Sequence, residues 1–235
     1  SHPELWGQLW RNPREIPFNG IDDDRNGYVD DVYGYNTRAD NANIADDNGH
    51  GTHVAGIIAA RGDGRGVEGI CPRCRLMIVK AFDSHGRSDP IRVSLAIRYA
   101  VLNGAKIIHL SAENDQPLEL EQALIDWARR KGVLVVAAAG SRGKDTSQVS
   151  PAGLRGVLAV GACDKADRRA SFSGWGRHVG LVAPGVDIVS TRARGTDFMF
   201  AMSGPALGIK PGERVVDNRW YRADGTSFAA PLVTG

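Results

Sequence analysis

Two short stretches hold the residue types that covalent chemistry needs. The first is Gly225-Thr226-Ser227-Phe228-Ala229-Ala230-Pro231. A glycine and two hydroxyl residues precede a small apolar run, so Thr226 or Ser227 is expected to cap a helix through Phe228, Ala229 and Ala230. A serine there stands beside the free N–H groups of a helix N-terminus, which favour the negative charge that develops when a hydroxyl attacks a carbonyl. By itself the heptapeptide fits an ordinary capping serine better. The second stretch is Asn48-Gly49-His50-Gly51-Thr52-His53-Val54-Ala55-Gly56. It sets His50, a candidate general base, just before the small-residue helix pattern Val54 to Ala60, whose side chains permit close approach to other backbone. His50 and His53 as a metal pair would lack a further clear ligand.

The elements that must position these residues alternate as in α/β proteins. Leu76–Val79, Lys106–Leu110, Val133–Ala139 and Val157–Val160 read as buried strands. Pro90–Asn103 reads as a helix with Ile91, Leu95, Tyr99 and Leu102 on one face, stopped by Gly104. Leu118–Lys131 reads as another, with Leu120, Leu124, Trp127 and Ala128 on one face, stopped by Gly132. Strand–helix–strand repetition implies right-handed crossovers and a mostly parallel central sheet covered on both faces, a three-layer α/β/α sandwich. The first 20 residues read as turns and loop, and Arg192 to Asp224 as irregular. No repeat or linker is visible, so a single domain over 1–235 is expected.

Composition narrows the function classes. The 235 residues are 42% hydrophobic and 24% charged with a formal net charge of +2, a globular composition too weakly basic to point to nucleic acid. No apolar run reaches transmembrane length. The glycine-rich loop from Arg61 to Gly66 is no phosphate cradle, because no lysine and hydroxyl follow it. Cys71 and Cys74 form a C-x-x-C; without a second pair they read as a local disulfide in an exported protein or as two reduced thiols. Cys163 reads as a small buried residue. In Asp22-Asp23-Asp24-Arg25-Asn26-Gly27, oxygen ligands alternate at Asp22, Asp24 and Asn26, with Asp30 at the ninth position of a calcium-loop pattern. Tyr33 stands where the bidentate glutamate belongs, so the stretch is either a calcium site completed by other groups or a solvated acidic turn.

The histidine and serine stretches resemble signature motifs of the subtilisin-like serine proteases, in the same chain order. The resemblance extends over nearly the whole chain. Val135–Gly140 is similar to the family's strand before the oxyanion asparagine, and Val182-Ala183-Pro184-Gly185 to its approach to the serine. It implies an endopeptidase with His50 as base and Ser227 as nucleophile, an exported location, a peptide or protein substrate, and a propeptide or inhibitor as partner. It also implies a substrate strand between Gly86-Arg87-Ser88 and Ser111-Ala112-Glu113, alongside Ala138-Ala139-Gly140. Glu113 stands where the family has glycine; it either obstructs the S1 entrance, favours a basic P1 side chain, or is a solvated charge. His2-Pro3-Glu4-Leu5 resembles the segment just after the catalytic aspartate, which places that aspartate upstream and suggests a chain incomplete at both ends. Ser141 replaces the oxyanion asparagine. That departure supports the alternative of an impaired pseudoprotease retaining a peptide-binding groove.

Overall fold

The computed structural model describes residues 2–64, 66–115 and 118–235; the side chain of Pro205 is also excluded, and Arg65 of the glycine-rich loop falls outside. Four parallel strands form the central sheet in the order β3 (Ile107–Leu110), β4 (Leu134–Ala138), β5 (Val157–Cys163), β6 (Val179–Pro184). A two-stranded parallel pair, β1 (Gly34–Asn36) with β2 (Ile78–Lys80), stands apart from it. The alternation of β4 separates the layers. Val135 packs with Ile97, Ala100 and Val101 of helix α2 (Pro90–Leu102) and with Ile125 and Ala128 of helix α3 (Glu119–Arg130). Val136 and Ala138 face the other way, against Ala229 and Ala230 of helix α5 (Thr226–Thr234). Helix α1 (His50–Ala59) lies on the α5 side. The arrangement is the expected α/β sandwich with a mostly parallel central sheet.

Sequence and structure diverge where apolar residues surround a helix. In α2 the caps are as read: the Asp89 carboxylate accepts the Arg92 N–H, Pro90 opens the helix, and Gly104 follows in the left-handed region. The buried face is only partly the one expected: Tyr99 is fully buried and Leu95 half-buried. Ile91 and Leu102 are exposed, and the core takes Ile97, Ala100 and Val101 instead. Both sets satisfy a 3.6-residue period, so only the neighbouring layer decides between them. In α3 Leu120 is likewise exposed, while Glu121 is buried and accepts a hydrogen bond from Ser150 Oγ.

The stretch from Arg192 to Asp224 is not irregular. It holds helix α4 (Phe198–Leu207), capped by the Asp197 carboxylate and closed by Gly208 in the left-handed region. A separate antiparallel sheet follows in the order β7 (Ile188–Thr191), β9 (Trp220–Ala223), β8 (Val215–Val216). Gly204-Pro205 within α4 masked the helix in the sequence. Near the N-terminus, Pro3–Gln8 forms a 3₁₀ helix capped by His2 rather than plain loop. Cys71 and Cys74 are bridged, with Cα atoms 5.4 Å apart, and Cys163 is a buried free thiol.

The small residues of α1 serve close packing. A Cβ on Gly56 would lie 2.3 Å from Thr191 Oγ1 and 2.4 Å from Ser190 Oγ, so only glycine lets β7 approach. Those hydroxyls donate to the carbonyls of His53 and Thr52 at 2.8 and 2.7 Å. The first turn of α1 is thereby fixed to the sheet that leads into α5.

Candidate active site

The N-termini of α1 and α5 meet at one edge of the sandwich. His50 is the first residue of α1, and its imidazole lies 5.5 Å from the ring of Phe228, the residue after Ser227, and 5.6 Å from Phe198 of α4. Gly49 precedes it with φ of 108°, and a Cβ there would strike Thr196 Oγ1 at 2.2 Å. This aromatic surround desolvates the imidazole and lowers its pKa to about 4, with the negative charge of Asp46 opposing the shift. His50 is therefore neutral at neutral pH, the protonation state in which an imidazole can accept a proton.

Asp46 is not placed to orient that base. Its Oδ2 accepts from Thr52 N at 2.9 Å and Thr52 Oγ1 at 2.6 Å; its Oδ1 accepts from Asn48 N at 3.1 Å and Gly49 N at 2.7 Å. Burial would raise its pKa, but these four donors outweigh burial and hold it below the usual carboxylate range. Its role is to cap α1. His53 points inward: Nε2 meets the Tyr221 carbonyl at 3.0 Å and the ring packs 4.6 Å from Phe228. Burial lowers its pKa to about 3. It is a core residue, and no carboxylate–histidine cluster forms around His50 and His53 among the described residues.

Ser227 is the second residue of α5, and neither it nor Thr226 is the cap. Gly225 holds that position without a side-chain bond. Ser141 fulfils the capping role from a distant loop: its Oγ accepts the Thr226 N–H at 3.0 Å and lies 3.0 Å from Thr226 Oγ1. The residue at the oxyanion position is thus drawn to the helix terminus. The Ser227 N–H belongs to the first turn, where N–H groups have no acceptor within the helix. Ser227 Oγ donates to the Ser111 carbonyl at 3.4 Å, a long bond that does not hold the hydroxyl against rotation toward His50.

A hydrogen-bonded chain under the serine went unread in the sequence. Ser111 Oγ donates to the Ser227 carbonyl at 2.7 Å, His109 Nε2 lies 2.6 Å from Ser111 Oγ, and His109 Nδ1 lies 2.8 Å from Thr234 Oγ1 at the far end of α5. Ser111 gives its only proton to a carbonyl, so its oxygen accepts from Nε2–H, while Thr234 Oγ1 lies between His109 Nδ1 and the Ala230 carbonyl, the latter at 3.2 Å. Burial, and secondarily the proximity of His50, lower the His109 pKa to about 3. The signal was the alternation of β3: His109 pairs in register with Val136, which faces α5.

The expected groove residues divide by role. Gly86, Arg87 and Ser88 end a turn in which the Asp83 carboxylate accepts the Arg87 N–H at 2.9 Å and Ser88 Oγ donates to the Ala81 carbonyl at 2.6 Å. Asn48 Nδ2 donates to the Ser84 carbonyl, which ties this wall to the His50 loop. On the other side, Ala112 and Glu113 follow Ser111, while Ala139 and Gly140 line a recess beside Ser141. Ala138 is in the core against α5. Glu113 Oε2 accepts the Ser141 N–H at 2.7 Å, and Oε1 pairs with Arg142 Nε at 2.7 Å.

The acidic loop gathers a different set from the expected one. Ligand atoms of Glu15, Asp22 and Asp24 lie within 4.8 Å of one another. Asn26 lies beside them, but its amide donates to Asp31 and its carbonyl accepts the Tyr28 N–H. The Asp30 carboxylate accepts from Asn19 N and Gly20 N, both at 3.1 Å. Glu15 is buried, with Oε2 lacking a hydrogen-bond partner, and burial raises its pKa.

Fold and site together define a class, an α/β sandwich in which a histidine and a serine lie in the first turns of two adjoining helices. The family model described as Peptidase_S8, Subtilase family, matches residues 1–235, and the chain belongs to that family. It is 38% identical over 205 residues to the thermophilic serine proteinase of Bacillus sp. (strain AK1), covering 87% of this chain and 45% of the relative. It is 37% identical over 158 residues to the minor extracellular protease Epr of Bacillus subtilis (strain 168), covering 67% of this chain and 24% of the relative. The crystal structure of a cold-adapted subtilisin-like serine proteinase superposes with a TM-score of 0.71 at 27% identity, covering 86% of this chain and 64% of that one. The chain spans about half or less of the length of these two sequence relatives. No helix among the described residues is long and apolar enough to cross a membrane.

Proposed function

We propose that the whole protein is a serine endopeptidase. Ser227 Oγ attacks the peptide carbonyl while His50 takes its proton; His50 then gives the proton to the leaving amine, and water releases the acyl group by the same route. The observation that carries this is that His50, in the first turn of α1, packs its neutral ring against Phe228, the residue after Ser227 in the first turn of α5. The reading requires a carboxylate to hold the imidazole tautomer, and Asp46, saturated by its four donors, does not supply it. The second reading, an impaired pseudoprotease with a peptide-binding groove, draws on one observation, the engagement of Ser141 Oγ at Thr226. A fluorophosphonate probe separates them. The peptidase reading expects covalent labelling of Ser227 in the whole protein and none in Ser227→Ala; an unlabelled whole protein supports the pseudoprotease.

Export is part of the same proposal, supported by the Cys71–Cys74 bridge and by the relative named as extracellular. A propeptide or inhibitor occupying the groove belongs to it as well. The acidic loop is proposed to hold calcium through Glu15, Asp22 and Asp24, the support being their convergence and the unpartnered Glu15 Oε2. Calcium would neutralise the cluster and tie Glu15 to the loop; it takes no part in the chemistry. Calcium at about 100 times its Kd is expected to stabilise the fold by about 2.7 kcal/mol, read as a rise in Tm. Glu15→Gln should reduce that rise, and a Tm indifferent to calcium after chelation would end the idea.

A further inference from the structure

Hydroxyls from two distant loops grip the main chain on either side of Ser227. On one side Ser141 Oγ accepts the Thr226 N–H at 3.0 Å. On the other, Ser111 Oγ donates to the Ser227 carbonyl at 2.7 Å. The second bond makes good a deficit in the helix itself. Within α5 the Ser227 carbonyl would take the N–H four residues on, but that residue is Pro231, which has none. Ser111 supplies the missing donor, and its own carbonyl receives the Ser227 hydroxyl at 3.4 Å. One residue just after β3 therefore meets the candidate nucleophile twice.

A serine hydroxyl turns readily about its side-chain torsions, so this bond lasts only if a third group holds the hydroxyl in place. His109 is that group. It points from β3 toward α5, with Nε2 2.6 Å from Ser111 Oγ and Nδ1 2.8 Å from Thr234 Oγ1. Burial keeps the ring neutral, so it has a single N–H, and that N–H goes to Ser111. One imidazole thereby links the first turn of α5 to its last. With both nitrogens engaged, it is not placed to take a proton from Ser227.

We propose that His109 is a positioning residue for Ser227: acting through Ser111, it holds the main chain of the nucleophile in the orientation from which the hydroxyl attacks. The inference rests on the peptidase reading above. Its effect is on geometry and not on charge. While Nε2–H donates to Ser111, the Ser111 hydroxyl has one orientation that satisfies it both as acceptor and as donor. Without that donor the hydroxyl can turn away, and the Ser227 carbonyl, which lacks its helical partner, is left unpaired for part of the time. The first turn of α5 then loosens at the point where the Ser227 N–H and Oγ must keep their places to within a fraction of an ångström.

The rate at which a small fluorophosphonate labels Ser227 in the whole protein reads this directly, because such a probe carries no peptide to be bound elsewhere. His109→Leu is expected to slow labelling by about tenfold or more. In peptide hydrolysis the same loss should fall on kcat, with KM changed little. Two polar variants separate position from packing. The carboxamide N–H of His109→Gln can stand where Nε2 stands and should restore most of the rate. That of His109→Asn stands nearer Nδ1, toward Thr234, and should not. These two decide the matter even if His109→Leu fails to fold. In a Ser111→Ala background, His109→Leu should cost nothing further, since its only route to Ser227 is already cut. A rate unchanged in His109→Leu, a His109→Gln variant no faster than His109→Asn, or losses that add to those of Ser111→Ala overturn the inference, while labelling of Ser227 leaves the peptidase reading intact. A parent protein that the probe does not label overturns both.

Discussion

On the proposed peptidase reading, Ser227→Ala is expected to lower kcat for peptide hydrolysis by about 10⁶-fold, the size of loss known for the nucleophile of subtilisin. The expectation follows from the absence of a substitute. Thr226 has its Oγ1 against Ser141, and Ser111 gives its hydroxyl proton to the Ser227 carbonyl, so neither neighbouring hydroxyl can turn to His50. The loss should appear in kcat and kcat/KM alike, because the removed interaction exists only in the transition state. His50→Ala should cost nearly as much alone and little more when combined, since the two residues act as a unit. A Ser227→Ala variant within a factor of ten of the parent would mean that another group carries the chemistry.

Ser141→Asn is expected to act in the opposite direction and to raise kcat by about 10²–10³-fold, with KM changed little. That range is the effect of an oxyanion-hole asparagine in subtilisin. In this protein the Ser141 hydroxyl is held at the N-terminus of α5 and its N–H at Glu113, leaving the Ser227 N–H as the developing oxyanion's nearest main-chain donor. An asparagine carboxamide is longer by one heavy atom and ends in two N–H donors, so it can reach the oxyanion while its loop stays where Glu113 fixes it. Steady-state kinetics on one peptide substrate checks this. An unchanged kcat would show that the parent already supplies a second donor, and a fall would show that capping of Thr226 by Ser141 is what the site cannot lose.

Several of these features were legible before any coordinates. The strands were plain because the largely buried β4 and β5 are continuous apolar runs, Val133 to Ala139 and Val157 to Val160, with no competing period. The histidine and serine stretches stood out by their resemblance to two motifs of the family and not by cap chemistry, since Gly225 is the cap of α5 and Ser141 binds the Thr226 N–H. Helix α4 was hidden, because Gly204-Pro205 is local breaker chemistry that the packing of Phe198 against Tyr221 and Phe228 overrides.

Alone, the sequence set out the main parallel strands and the helices α1, α2, α3 and α5, since these depend on short-range pattern, while His50 and Ser227 stood out as candidates through the resemblance of their two motifs to the family. The tertiary structure decided everything that depends on which of two equivalent faces meets a partner. It turned Ile97 rather than Ile91 into the core, made Asp46 a helix cap instead of a partner for His50, and brought Glu15 to Asp22 and Asp24. It also set His109 beneath the serine and laid Glu113 across the recess between Ser141 and Arg142. Each of these joins residues far apart in the chain, and the spacing of charges and apolar side chains along a sequence does not say which distant group will satisfy them.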